Sequence, residues 1–319
     1  MTYNSESVIE RFLESLDRVI RKLDVPIETI LTDNASRDQT AELISRAEQR
    51  FPSLKIVKRL NKKNVGLSGA LNDMIDISKG HSILVCNPDI EFTETIQEMV
   101  RISKLYPRFV LVPELFYPDG SLQRVMYRRF PTVLRILADF TSIGRSFPKL
   151  FDSVRKDYNY VNAKFKTPLD TVEQVAPVCM LIPEEVAKLF QPFYDPAFPV
   201  YWNDVDMSKR AEVLEIPRAI VPLARVIHGH GKSVKGMALE RQFMLFYSSK
   251  GMIGYARRWG IHPNLLRLLF FSDAGFRTAK EIAARIIGRR TRILLREHKI
   301  PSFKERTRIH LLPFRCSLR

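Results

Sequence analysis

Apolar residues recur at helical spacing from the start of the chain. Val8, Ile9, Phe12, Leu13, Leu16, Val19, Ile20 and Leu23 fall on one face, and Pro26 ends the run. Residues 27–31 then read as a short apolar strand. Ser36 followed by Gln39 resembles a capping box opening a helix that carries Ile44, Ala47 and Phe51. The alternation continues with a strand over 54–57 and a helix face of Leu67, Ala70, Leu71 and Met74. A fully buried strand is expected over 83–86 and another helix over 93–106. Strands alternating with helices of this length predict βαβ units: an α/β fold with a mostly parallel sheet flanked by helices. Ligands of such sheets gather at the carboxyl ends of the strands.

Toward the other end the pattern changes. Leu265, Leu266, Leu268, Leu269, Phe270 and Phe271 are interrupted only by Arg267. Phe276, Ala279, Ile282, Ala283, Ile286 and Ile287 then keep helical spacing among Arg277, Lys280, Arg285, Arg289 and Arg290. Both stretches predict basic amphipathic helices. Charge sharpens the division: of a net +16 over 319 residues, the segment from 251 onward holds +12, with 16 Lys and Arg against 4 Asp and Glu. The expected organisation is therefore a main α/β domain over 1–245 and a basic helical extension over 246–319. Such an extension suits an anionic membrane surface, or else it folds on the body with a solvated basic face. A nucleic-acid partner is not expected, since no interleaved aromatics and no binding module accompany the charge.

Composition removes other classes. With 45% hydrophobic and 27% charged residues the chain can bury a core. Cys86, Cys179 and Cys316 are too far apart for a disulfide framework or a zinc ribbon, which suits a reducing, cytoplasmic compartment. No apolar run reaches the roughly 18 to 20 residues of a membrane span. Glu6, Glu10, Glu14 and Asp17 stand where a secretory signal would need a basic and then an apolar stretch. The expected location is cytoplasmic and peripheral at the inner membrane face.

Chemistry gathers after the strands. Thr32-Asp33-Asn34-Ala35-Ser36-Arg37-Asp38 follows the first, and Asn87-Pro88-Asp89-Ile90 follows the one ending at Cys86. Either could be a turn, because Asp, Asn and Ser bond their own backbone; two carboxylate-bearing strand ends together point to a ligand. Between them, Asn64-Val65-Gly66 leads through Ser68 to Asn72 in a glycine-containing helix start that could offer N–H groups to a phosphate. Further on, Tyr201-Trp202-Asn203-Asp204-Val205-Asp206 precedes a helix. Asp206 and Arg210 are spaced for an ion pair, whereas Asp204 is either a cap or a general base tuned by burial beside Trp202. His228 and His230 follow an extended stretch, and with Asp89 a histidine there could help hold a divalent metal.

In order, these motifs resemble the family 2 glycosyltransferases, inverting enzymes of the GT-A fold, and most closely the rhamnosyltransferase-like members. The residues carrying the resemblance are Thr2-Tyr3-Asn4, Asp33 through Asp38, Asn64-Val65-Gly66 with Asn72, Asn87-Pro88-Asp89, Asn203 through Asp206, and His228 with Ser233. Gly120 through Gln123, Arg128-Arg129-Phe130-Pro131 and Cys179 through Ile182 resemble further segments of that subgroup. The resemblance implies donor-binding roles for Tyr3, Asn4, Asp33, Asn34, Ser36, Asp38, Asn64, Gly66, Asn72 and Asn87. It implies Mg²⁺ or Mn²⁺ held by Asp89 with His228, and Asp204 as the base that deprotonates the acceptor hydroxyl. The implied reaction moves a sugar from a nucleoside diphosphate to a lipid-linked or polysaccharide acceptor in cell-surface glycan synthesis.

Two departures accompany the match. Asn203 stands where the family usually has Glu. The family's first strand normally precedes the Thr-Tyr-Asn motif, whereas this sequence starts at Met1, so that strand is expected to be missing through a late start assignment or a truncated gene. These departures motivate the alternative expectation of a non-catalytic, membrane-bound scaffold on the same fold.

Overall fold

The computed structural model describes residues 1–124, 127–229 and 238–286, with side chains left out over 238–245 and 283–286. Along the chain α1 (Ile9–Ile20) is followed by β1 (Thr29–Asp33), α2 (Thr40–Arg50), β2 (Ile56–Leu60), α3 (Gly66–Ile77), β3 (Ser82–Cys86) and β4 (Ile90–Phe92). Next come α4 (Gln97–Leu105), β5 (Val110–Phe116), β6 (Tyr127–Arg128), α5 (Val133–Phe140), α6 (Ser142–Ser146) and α7 (Pro148–Tyr158). The remainder is β7 (Asp170–Thr171), β8 (Gln174–Val175), β9 (Cys179–Pro183), α8 (Glu184–Leu189), α9 (Asn203–Val213), β10 (Arg218–His228), α10 (Ala238–Arg258) and α11 (Pro263–Ile286). The described residues divide into two units, one within 1–130 and 159–235, the other within 131–158 and 236–319. Packing thus draws its line differently from the sequence-based boundary at 245, because α5 to α7 group with the C-terminal helices.

In the first unit β1 and β2 form a parallel pair, from Thr29 opposite Ile56 to Asp33 opposite Leu60. A second sheet runs in the order β3-β9-β5-β10-β4, with β7 added alongside β10. The expectation of a mostly parallel sheet needs correction here. β5 and β10 are parallel, whereas β3–β9, β9–β5, β10–β4 and β10–β7 are antiparallel. Local alternation of strand and helix describes β3 and β5, which run the same way, and says nothing of a later strand inserted between them in reverse. Alternate residues of β5 enter two cores: Leu111 packs with α1, α2 and α4, while Val110 and Val112 pack with α3 and α8. The two cores therefore lie on opposite faces of the sheet.

Two local expectations also change. β3 is not fully buried, for Ser82 is exposed and Leu84 keeps 38% of its surface; this strand ends the sheet and borders a cavity. The capping box does not form. Ser36 turns back to Asp33, Gln39 caps α2 with no side-chain bond, and Asp38 takes up the Thr40 amide at 3.1 Å and its hydroxyl at 2.6 Å.

In the second unit Thr132 caps α5 by accepting from the Arg135 amide. Asp273, buried on α11, accepts from the amides of Ser142 and Ile143 at 2.6 and 2.9 Å and so caps α6, while Arg277 holds its other oxygen at 2.9 Å. The two expected C-terminal helices are one: 263–286 form a continuous helix, and the rest of the basic tail lies outside the described residues. No described helix is long and apolar enough to cross a membrane.

Candidate functional site

The loop after β1 is built from its own polar side chains. Asp33 is 3% exposed and accepts from the Ser36 amide at 3.0 Å and from its hydroxyl, with Thr2 Oγ1 at 3.4 Å. Ser36 Oγ accepts in turn from the Asn4 amide at 2.9 Å, and Asn4 Oδ1 accepts from Arg37 N at 2.9 Å. Asn4 and Ala35 both adopt left-handed backbone, φ 48° and 62°, conformations that side chains disfavour and that cluster at binding sites. Asp38 accepts from the Glu6 amide as well as from Thr40. Burial pushes its carboxyl up, but these bonds outweigh that and leave it below its ordinary value. Tyr3 lies beside them, 37% exposed.

Asn34, 1% exposed, ties this loop to the next. Its Nδ2 donates to Asn64 Oδ1 at 3.0 Å and to the Gly66 carbonyl at 3.2 Å, and its Oδ1 accepts from Val65 N and Asn61 Nδ2. The start of α3 is less open to a phosphate than its sequence implies. The Gly66 amide is taken by Asn64 Oδ1 at 2.8 Å, and the Ser68 amide by the Pro199 carbonyl at 3.1 Å. Gly66 has φ +80°, and a Cβ there would stand 3.1 Å from Pro199 O. Asn72 spends both ends of its amide on the backbone of Tyr194, at 2.7 and 2.8 Å. Asn34 and Asn72 thus act as struts within the protein in this state.

Because β9 opposes both β3 and β5, and β10 follows β5, the carboxyl ends of β3, β5 and β10 share one edge. Asn87 and Asp89 follow β3, Gln123 follows β5, and His228 ends β10. Asp89 Oδ1 stands 3.4 Å from His228 Nε2, with both side chains nearly buried. On the other side of the ring, His228 Nδ1 is 2.7 Å from Oε1 of the fully buried Gln123. In the tautomer where Gln123 Oε1 accepts from Nδ1–H, the Nε2 lone pair is the one turned toward Asp89. Two lone-pair donors turned on one another suit a cation between them, and a histidine whose second nitrogen is fixed by an oxygen acceptor is the usual form of a metal ligand. Their oxygen and imidazole donors fit the implied divalent cation; among the described residues no third His, Cys, Asp or Glu joins them. His230 lies outside the described residues.

Asp204 sits in the first turn of α9, behind Trp202, whose backbone is left-handed at φ 68°. The expected pair of Asp206 with Arg210 is present at 2.9 Å, with Asp206 fully buried and Arg210, part-exposed, also bonding the Pro192 and Phe193 carbonyls. Asp206 is therefore structural. Burial raises the Asp204 carboxyl, against the pull of the Val205 amide and the Arg128 guanidinium. Tyr194, fully buried, has a hydroxyl with no hydrogen-bond partner among the described residues. Burial and then the charge of Asp204 push that phenol up. Sequence reasoning missed Tyr194 as a site residue, since a tyrosine among the aromatics of 190–202 carries no signal. It noted Gln123 only as part of a motif.

The chain matches the model described as Glycosyl transferase family 2 over residues 1–162, half its length. It is 26% identical over 147 residues to an undecaprenyl-phosphate 4-deoxy-4-formamido-L-arabinose transferase of Pseudomonas fluorescens, covering 44% of this chain and 40% of that one. It is also 26% identical over 126 residues to the uncharacterized protein Rv1520 of Mycobacterium tuberculosis, covering 38% and 36%. The matched stretch thus spans well under half of these curated relatives. Among solved structures, the mannosyltransferase PcManGT of Pyrobaculum calidifontis, in complex with GDP-Man and Mn²⁺, aligns over 99% of this chain and 84% of its own with TM-score 0.53 and 15% identity. GalNAc-T7 with UDP, GalNAc and Mn²⁺ aligns over 81% and 46% with TM-score 0.56 and 14% identity. The expected GT-A fold is the fold observed, and by its sequence the chain belongs to glycosyl transferase family 2.

Proposed function

We propose that the protein is a metal-dependent, inverting glycosyltransferase that passes a sugar from a nucleoside diphosphate to a lipid-linked or polysaccharide acceptor. Its motifs favour a deoxyhexose such as rhamnose. The observation that carries the reading is His228 turned by Gln123 so that Nε2 faces Asp89. When bound there, Mg²⁺ or Mn²⁺ supplies positive charge that neutralises the diphosphate as it leaves.

The remaining work falls to the chain's own side chains. Asp204, raised by burial, is a stronger base than a solvated carboxylate and takes the proton of the acceptor hydroxyl as it attacks the anomeric carbon. One displacement from the face opposite the leaving group inverts that carbon, through a transition state resembling an oxocarbenium ion. Tyr3, Asn4, Asp33, Ser36 and Asp38 form the loop that receives the nucleotide, with Asn34, Asn64 and Gly66 bracing it, Asn72 fixing the Tyr194 backbone and Asn87 flanking the metal site. Support for membrane attachment comes from α11. Leu265, Leu268, Phe271 and Ile282 are about half exposed and fall within roughly 120° of the helix, at 100° per residue. The buried Leu266 and Asp273 lie on the opposite side. An exposed apolar face next to a basic tail suits peripheral attachment to an anionic membrane.

Thermal unfolding with uridine, guanosine and thymidine diphosphates and their sugar conjugates, with and without Mn²⁺, tests the donor site. Ligand at 100 times its Kd adds about 2.7 kcal/mol, several degrees for a domain of this size. A metal-dependent rise with one nucleotide is the expected result. Silence with all of them would favour the non-catalytic scaffold.

A further inference from the structure

Two cysteines meet across a strand pair. Cys86 ends β3 and Cys179 begins β9, and the antiparallel register sets them directly opposite one another. The ladder bonds on either side run through other residues. The Asn87 amide donates to the Val178 carbonyl at 2.9 Å, and at the far end of the pairing the Glu184 amide donates to the His81 carbonyl at 3.0 Å. Bonded positions alternate along an antiparallel pair, so Cys86 and Cys179 occupy a non-hydrogen-bonded position, where Cα atoms stand about 4.5 Å apart and side chains approach most closely. Both pack on the same core, and the Cys179 thiol hydrogen-bonds the Cys86 sulfur. Disulfides span Cα separations of about 4.4 to 6.8 Å, so this pair lies within bonding reach, at the short end.

We propose that Cys86 and Cys179 are an oxidation site, closing to a reversible cross-strand disulfide that loosens the metal site at Asp89. The two sulfurs differ in exposure, and that sets the order of events. Cys86 is half-buried and lines a cavity of about 840 Å³, whereas Cys179 is 1% exposed. Its hydrogen bond with Cys86, and then burial, hold the Cys179 thiol well above its ordinary value. Cys86 is therefore the attacking sulfur and Cys179 the resolving one.

The oxidant is a peroxide, small and uncharged enough to enter a cavity walled by Ile30, Leu84 and Met99. The Cys86 thiolate breaks the O–O bond of hydrogen peroxide and keeps one oxygen as a sulfenic acid. The hydroxide released takes up the proton that Cys86 gave off, making the first water. The Cys179 sulfur then attacks the Cys86 sulfur: the S–O bond breaks, the S–S bond forms, and the oxygen leaves with the Cys179 proton as the second water. Two electrons, one from each sulfur, reduce the peroxide.

The link to the site is geometric. Relaxed disulfides hold their Cα atoms roughly 5.5 to 6 Å apart, so closure spreads β3 and β9 by about 1 Å at Cys86. Asn87 comes next, with its amide bonded to Val178, and Asp89 follows with Oδ1 3.4 Å from His228 Nε2. Metal–ligand distances tolerate only about 0.2 Å, so a movement of this size weakens a cation held between the two. Strain of the same origin makes the disulfide easily reduced. This link rests on the metal reading proposed above, whereas the disulfide does not.

The test uses the full chain carrying Cys316→Ser, so that Cys86 and Cys179 are its only thiols. Hydrogen peroxide on the native protein is expected to consume both thiols together, lower the mass by two hydrogens and join the peptides that carry them. After catalase removes the excess, affinity for Mn²⁺ alone should be about 10-fold weaker, and a dithiol reductant should restore it. In Cys179→Ala the reaction should stop at a sulfenic acid on Cys86 that dimedone captures, and in Cys86→Ala the buried Cys179 should stay reduced. Sulfinic acid on Cys86 beside a free Cys179, disulfides only between chains, or reaction only after unfolding in urea would overturn the oxidation site. A disulfide that leaves Mn²⁺ affinity unchanged would overturn the link to Asp89. If even the reduced chain binds no Mn²⁺, the metal reading and the link fail together, and the mass measurement still decides the disulfide.

Discussion

Gln123, reached through the turn after β5, holds the imidazole of His228 at the end of β10, with Oε1 and Nδ1 2.7 Å apart. That bond decides which nitrogen faces Asp89. Gln123→Ala frees the ring and its tautomer while leaving both proposed ligands in place, and an outer-shell loss of this kind typically lowers metal affinity 10- to 100-fold. Calorimetric titration of Mn²⁺ in the presence of nucleoside diphosphate should show such a loss for Gln123→Ala and a larger one for Asp89→Ala.

Asp204 links rate and stability to pH with opposite signs. Its carboxyl is raised in the folded state, so the folded protein binds that proton more tightly than the unfolded chain. Stability from this group is therefore lost as pH rises from the ordinary carboxyl value through the raised one. Asp204→Asn should unfold at higher temperature than the parent at neutral pH, with the difference shrinking in acid, while transfer is abolished and donor binding kept. As the proposed base, Asp204 would act in its charged form, so activity of the parent should fall as pH drops through the same raised value.

Arg128 opposes that shift by its positive charge. Removing it in Arg128→Met should move the acid limb of the pH–rate profile to higher pH. A rate lowered equally at every pH would assign Arg128 to substrate binding instead.

Asp206 is fully buried against Arg210. Arg210→Met strands that charge, and breaking a buried pair in this way costs about 3 to 5 kcal/mol. Urea denaturation should show a loss of this size, whereas changing both partners to apolar residues should recover much of it.

Gly66 holds φ +80° with Pro199 O 3.1 Å from any added Cβ. Gly66→Ala takes on the left-handed penalty of about 1 to 2 kcal/mol and presses on the 194–199 loop ahead of Asp204. Reduced Tm together with weakened donor binding is the expected pattern.

Much of this was legible in the sequence. The helical face from Val8 to Leu23 became α1, and Asp206 with Arg210 formed the pair that their spacing allows. Asp89 and His228, 139 positions apart, were matched by motif and meet at one sheet edge. What escaped depends on contacts distant in the chain. The reversal of β9 between β3 and β5 leaves no local mark, because its residues read as any buried strand. Ser36 kept the composition of a capping box, yet its hydroxyl was claimed by Asp33. The amide of Asn72 was spent on Tyr194, 122 positions away.

Asp273 on α11 closes the first turn of α6, some 130 positions earlier in the chain. During synthesis, α6 leaves the ribosome well before the residue that satisfies its amides has been translated. At about 5 to 20 residues per second, the wait lasts from several seconds to nearly half a minute. Residues 131–158 therefore emerge as an unfinished piece of the second unit, while the chain that completes the first unit is made in between. Order of translation and order of assembly run in different sequences here, and it is the C-terminal half that finishes a task begun near the middle.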